Sequence, residues 1–120
     1  MLFRSPEEAA LLDRLSVFAG SLGLAAAQSV VAGDDHDAFG VAENLMALVR
    51  KSLVVSRPAR GERRFALLES VRAFAERRLR DAGKWEQYRD RHLEYWVTFA
   101  QRAAAGMASV EEWEIGRAHV

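Results

Sequence analysis

Cysteine is absent from the 120-residue sequence, which removes disulfides, thiolate catalysis and cysteine-ligated zinc or iron–sulfur centres together. An excess of one charge is absent too. Seventeen basic residues balance seventeen acidic ones, so no global positive field marks a binder of nucleic acid or anionic membrane, and any such binding has to be local. No uninterrupted apolar run approaches the roughly 18 residues that a membrane-spanning helix needs. The opening MLFRSPEEAALLDRL meets charge within four residues and lacks the apolar core of a signal peptide. A cytoplasmic location without a membrane partner is expected. The phosphate-cradling pattern of glycines followed by lysine and serine or threonine is missing. No nucleophile, base and oxyanion donor form a constellation either, so the stretch is expected to be no enzyme and to have no catalytic residues.

What is present is helical periodicity. Half of the residues are apolar, enough for one ordinary core and too few for two large domains. Ser5-Pro6-Glu7-Glu8 reads as a helix start, with serine as cap, proline at the first helical position and Glu8 placed for a capping box. Leu11, Leu15 and Phe18 then share a face, and Gly20 and Gly23 punctuate its end. A short apolar helix fits Leu24 to Val31. Asp37 is placed to cap a third, about Ala38 to Lys51, with Val41, Leu45 and Leu48 or Val49 as its buried stripe.

The period then changes. Leu53 to Val55 and Phe65 to Leu67 are β-prone runs separated by a charged connector containing Pro58 and Gly61, which reads as a hairpin with a basic tip. From Ser70 the helical period returns, with Val71, Phe74 or Ala75, and Leu79 inward and Arg72, Glu76, Arg77, Arg80 and Asp81 outward; Gly83 is a terminator. A further helix from Lys84 lines up Trp85, Tyr88, His92, Tyr95 or Trp96, and Phe99. That stripe needs a partner, either the alanine-rich stretch from Gln101 to Val110 or a helix beyond it.

The expected fold is therefore mainly α: a winged helix of three helices, a hairpin wing and a closing helix over 1–83, followed by an antiparallel helical-repeat segment over 84–113. Ile115 to Val120 look like a translated sequencing adapter, so 114–120 is expected to be a non-native tail. The natural protein is expected to continue past Trp113.

LLDRLSVFAGSLGLAAAQSVV, LMALVRKSLVV, RRFALLESVRAFAERRL and RDRHLEYWVTFAQRA, in this order, resemble one region of bacterial signal-transduction ATPases with numerous domains (the STAND/NB-ARC type), such as large LuxR-type transcriptional regulators. The resemblance runs from about Leu11 to Ala105. It implies the winged helix that follows the nucleotide-binding core, running into a tetratricopeptide-like array. In that family the winged helix docks on the core and helps hold its ADP-bound resting state, and many members carry a Met-His-Asp-like motif where the last wing strand meets the closing helix, its histidine approaching the β-phosphate of the bound nucleotide. Here those positions are Leu67, Leu68 and Glu69, with Arg72 one helical step on. The carboxylate keeps its type, whereas leucine replaces the histidine and cannot donate a hydrogen bond. The resemblance implies no cofactor within this stretch, with ATP or ADP held by an upstream domain. It also implies three partners: that nucleotide-binding domain, the downstream repeats, and a protein bound by the array.

A winged helix also invites a DNA reading, in which the third helix enters the major groove and the wing meets phosphate. Arg57, Arg60, Arg63 and Arg64 on the hairpin, with Arg50 and Lys51 at the helix end, are the candidate backbone contacts. The outward candidates of the third helix, Glu43, Asn44 and Ala47, include only one typical base-contacting side chain. The balance is against direct DNA binding here, with a self-contained DNA-binding protein as the alternative. Asp34 to Asp37, DDHD, are consecutive and lack a second ligand cluster, so no metal is expected. His92 reads as a hydrogen-bonded histidine of the aromatic stripe.

Overall fold

A computed structural model describes residues 5–33 and 37–106. Its elements run α1 (Pro6–Leu15), α2 (Leu24–Val31), α3 (Ala38–Arg50), β1 (Val54–Ala59), β2 (Glu62–Leu67), α4 (Glu69–Asp81) and α5 (Trp85–Ala104). This is the expected mainly α winged helix followed by a helical segment. The tail at 114–120, the remainder of the alanine-rich stretch after Gly106, and Asp34, Asp35 and His36 lie outside the described residues.

Two caps work as their sequence suggests. The Ser5 hydroxyl accepts from the Glu8 backbone N–H at 3.4 Å, and Asp37 Oδ1 accepts from Gly40 N–H at 2.7 Å. Between them the apolar spacing builds the core. Leu11 and Leu15 of α1, Ala27, Val30 and Val31 of α2, and Val41, Leu45 and Leu48 of α3 are all fully buried. Burying each leucine or valine contributes about 1.5–3 kcal/mol.

The hairpin is longer than its β-prone runs. Register pairs run from Val54↔Leu67 to Ala59↔Glu62, so Pro58 stands inside β1 opposite Arg63 rather than in a connector. A two-stranded ribbon has free edges, where a missing N–H is tolerated. The connection is just Arg60 and Gly61, at φ 53° and 84°. Both are left-handed, as a two-residue hairpin turn with the right twist requires. On the opposite side of β2, Leu22 and Phe65 exchange two backbone hydrogen bonds of 2.8 Å each. This single bridge stitches the α1–α2 loop to the wing.

α4 starts at Glu69, one residue before its expected start, and buries Ala75 and Leu79. Phe74 is 51% exposed, so of the two inward candidates only Ala75 faces the core. At the end of α4, Gly83 at φ 73° gives its N–H to Arg80 O, and Lys84 N–H reaches Leu79 O. This pair of bonds is the Schellman stop that the glycine predicts.

α5 continues without a break through Gln101 to Ala104, so these residues extend the stripe-bearing helix instead of folding back on it. The stripe finds its partner in α2. Tyr88 is 4% exposed and belongs to the main core, with Trp85 and Tyr95 packed at its edge. The guanidinium of Arg14 lies 4.8 Å from the Tyr88 ring centre and that of Arg91 lies 5.7 Å from it. Arg14 donates to Val31 O, while Arg91 donates to Ser29 O and Ala32 O. Two cations that share the Tyr88 ring thus satisfy carbonyls at the C-terminal end of α2, where positive charge is favoured. Among the described residues, no helix is long and apolar enough to cross a membrane.

Candidate functional site

The strand-to-helix join is built from three residues in different environments. Leu67 is half-buried and packs on the core. Leu68 is the N-cap of α4 in extended backbone (φ −62°, ψ 146°); it offers no capping side chain and is 51% exposed. Glu69 follows in the first turn, fully outside, where a carboxylate suits the positive end of the helix.

Arg72 organises this end of α4. Its Nε and Nη2 donate to the two Glu69 oxygens at 3.1 and 2.6 Å, and its Nη1 donates to Glu76 Oε1 at 3.1 Å. Arg80 Nε closes the ladder on Glu76 Oε2 at 2.9 Å. The bidentate hydrogen bond from Arg72 holds the Glu69 carboxyl below its ordinary range, and the same contact raises Arg72. At such an exposed site the pair adds little stability. Its consequence is orientation, since a guanidinium fork fixes a carboxylate in one plane. Beside the join lies an open groove of about 520 Å³, lined by Val55, Arg57, Ala66, Leu68 and Glu69 among others. The structure thus brings Leu67, Leu68, Glu69 and Arg72 together at one edge.

The wing arginines divide. Arg57, Arg60 and Arg63 are exposed, with Arg63 Nη1 3.4 Å from Ser56 Oγ. Arg64 turns inward: Nε meets Ser21 Oγ at 3.3 Å and Nη2 meets Ser21 O at 3.2 Å. Burial pulls its guanidinium below the usual value, with Glu62 and Tyr95 opposing the shift. A Cβ at Gly23 would stand 3.2 Å from Arg64 Nη1, so glycine there leaves room for this anchor. Lys51 is also committed, as the ion-pair partner of Glu8.

His92 accepts from Trp96 Nε1–H through Nε2 at 2.9 Å and meets the Phe18 ring edge-on at 4.8 Å. The accepting nitrogen must be unprotonated, in line with burial pulling this imidazole down. It is the hydrogen-bonded stripe residue that its spacing suggested. Among the described residues no group of three acidic or histidine side chains is placed to hold a metal ion.

Residues 5–80 match the winged helix-turn-helix domain family. The chain belongs to that family. It is similar to proteins named as HTH-type transcriptional regulators from Mycobacterium tuberculosis and Mycobacterium bovis, 42% identical over 93 residues that make up 78% of this chain and 10% of each relative. An uncharacterized Mycobacterium tuberculosis protein is 36% identical over 107 residues, 88% of this chain and 27% of that protein. The chain therefore spans about a tenth of the length of the first relatives. No solved structure matches it.

In a winged helix-turn-helix that reads DNA, the second helix of the motif lies in the major groove. Here that helix is α3, and its outward face differs from the expected set. Ala47 is 8% exposed and belongs to the buried side, and Asn44 is half-buried. The exposed positions are Phe39 at 71%, Glu43, Met46 at 39%, and Arg50. This second stripe is legible from spacing alone, because 39, 43, 46 and 50 recur at four, three and four. Its apolar members escape a search confined to polar side chains that could contact bases.

Proposed function

We propose that this chain is a regulatory, non-catalytic winged-helix module of a larger bacterial signal-transduction ATPase of the STAND/NB-ARC type, as in large LuxR-type transcriptional regulators. It works in the cytoplasm. The module docks on the nucleotide-binding domain of the same polypeptide, which holds ATP or ADP, and relays the nucleotide state. Residues 1–83 form the docking unit, and 84–113 begin the tetratricopeptide-like array that continues downstream and receives a protein partner.

The observation that carries this reading is the join. Leu68 presents an exposed aliphatic side chain at a helix cap, beside a Glu69 carboxylate held by Arg72 and next to an open groove. An exposed leucine and a fixed carboxylate suit contact with another protein surface, and neither supplies chemistry. Leucine in place of histidine means that the nucleotide state is transmitted by packing rather than by a side-chain hydrogen bond to phosphate. Docked and released arrangements then differ in contact free energy, which is what lets nucleotide shift their populations. Replacing Glu69 by alanine in the full-length parent tests this. Raised basal output supports the latch, and unchanged output in a folded variant removes it.

A second reading, a self-contained DNA-binding protein, is favoured by family membership and by the three exposed wing arginines. It predicts salt-dependent duplex binding that is lost when Arg57, Arg60 and Arg63 are neutralised.

A further inference from the structure

The exposed face of α3 has a composition that phosphate does not explain. Phe39 is 71% exposed, more than any other large apolar side chain among the described residues, and Met46 lies on the same stripe. Glu43 between them repels a phosphate backbone. Neither Glu43 nor Arg50 has an ion-pair partner among the described residues. The face therefore offers an apolar pair plus one charge of each sign that has no ion-pair partner among the described residues, an arrangement that suits a protein surface.

We infer that this face is a contact between two copies of the chain, formed by antiparallel packing of α3 on α3. The charges select that occupant. Glu43 and Arg50 are seven residues apart, about 10 Å along the helix. When two copies meet antiparallel with a two-fold axis level with Met46, each Glu43 faces the Arg50 of the second copy. A two-fold contact is self-complementary in this way: residue i meets j, and j meets i. The Met46 side chains meet at the axis, and each Phe39, which this register sets opposite position 54 beyond the end of the second copy's α3, flanks the contact at its edge. Zero formal net charge on the chain leaves no long-range repulsion between copies. The contact is weak, because stable interfaces bury about 800 Å² on each side and one helix stripe covers less. This inference stands independently of the proposed docking on a nucleotide-binding core.

Sedimentation equilibrium of the chain from about 10 µM to about 1 mM spans the affinity range of such a contact. The average mass is expected to climb from one chain toward two. Glu43→Arg and Arg50→Glu should each weaken association roughly five- to tenfold, and the double reversal should restore it. All of these positions are exposed, so folding is preserved, and circular dichroism checks that. Since the sequence has no cysteine, Met46→Cys supplies a single thiol. Under mild diamide oxidation it should form the disulfide dimer roughly tenfold faster than Arg77→Cys on the far face of α4, because only residues at the axis bring their Cα atoms within disulfide reach. A monomer at every concentration overturns the inference. So does association indifferent to the reversals, which assigns it to another surface, and so does sequence-selective protection of the Met46→Cys thiol by duplex DNA.

Discussion

The ammonium of Lys51, at the end of α3, sits on the carboxylate of Glu8, whose side chain is only 3% exposed. The pair ties the first turn of α1 to the helix before the wing and withdraws one basic group from solvent. Removing the cation leaves a buried carboxylate without it, and that loss is larger than the net worth of the pair. Lys51→Met is expected to destabilise the chain by about 2–3 kcal/mol, and Glu8→Gln by less. Urea denaturation with unchanged slope measures both.

Asp13 makes stability depend on pH. Burial pushes its carboxyl up to about 6 against the pull of Arg78 and Arg14. Arg78 Nε stands 3.4 Å from Asp13 Oδ1, close enough for an ion pair, yet that oxygen accepts no hydrogen bond. With the folded value above the unfolded one, the protonated form is favoured by folding. Its contribution is full below about pH 4 and is lost as pH rises through about 6. Stability should fall on the order of 2 kcal/mol across that window, and Asp13→Asn should flatten the slope. Thermal midpoints from pH 4 to 7 give the answer.

His92 has the opposite sign. Its folded value lies below the ordinary 6.5, so its contribution is full above that and is lost as pH falls through the folded value. Protonation also ends the bond from Trp96. Tryptophan fluorescence should change in that acid range in the wild type, and the transition should be absent in His92→Phe.

Arg64 and its neighbours on the wing should separate by mutation. Arg64→Ala removes the contacts to Ser21 and is expected to cost about 1–2 kcal/mol. It should also speed hydrogen exchange at Leu22 and Phe65. Arg57→Ala, Arg60→Ala and Arg63→Ala should each stay within about 0.5 kcal/mol of the parent.

Which features were legible in the sequence follows from the physics of each. Helices whose ends carry their own chemistry, Ser5 and Asp37 as caps and Gly83 as a stop, are local decisions and appear in one dimension. The start of α4 moved by one residue because Leu68 caps with backbone geometry alone. The length of the wing was obscured by Pro58, which reads as a breaker unless its strand is known to be an edge. Long-range commitments were invisible: nothing local says that Lys51 finds Glu8, that Arg64 turns to Ser21, or that Arg14 and Arg91 flank Tyr88. The join residues were placed by resemblance, and their ladder through Arg72 to Glu76 and Arg80 follows from helical spacing.

The central claim is that this winged helix serves protein contacts rather than reading DNA. A titration of the chain with duplexes of several sequences across salt concentrations tests it most directly. Binding no stronger than the weak, sequence-independent attraction of any basic patch, about 1–100 µM at physiological salt, is the expected result. Binding in the range of about 10 nM or tighter to one sequence, lost on substitution of α3 face residues, would contradict it.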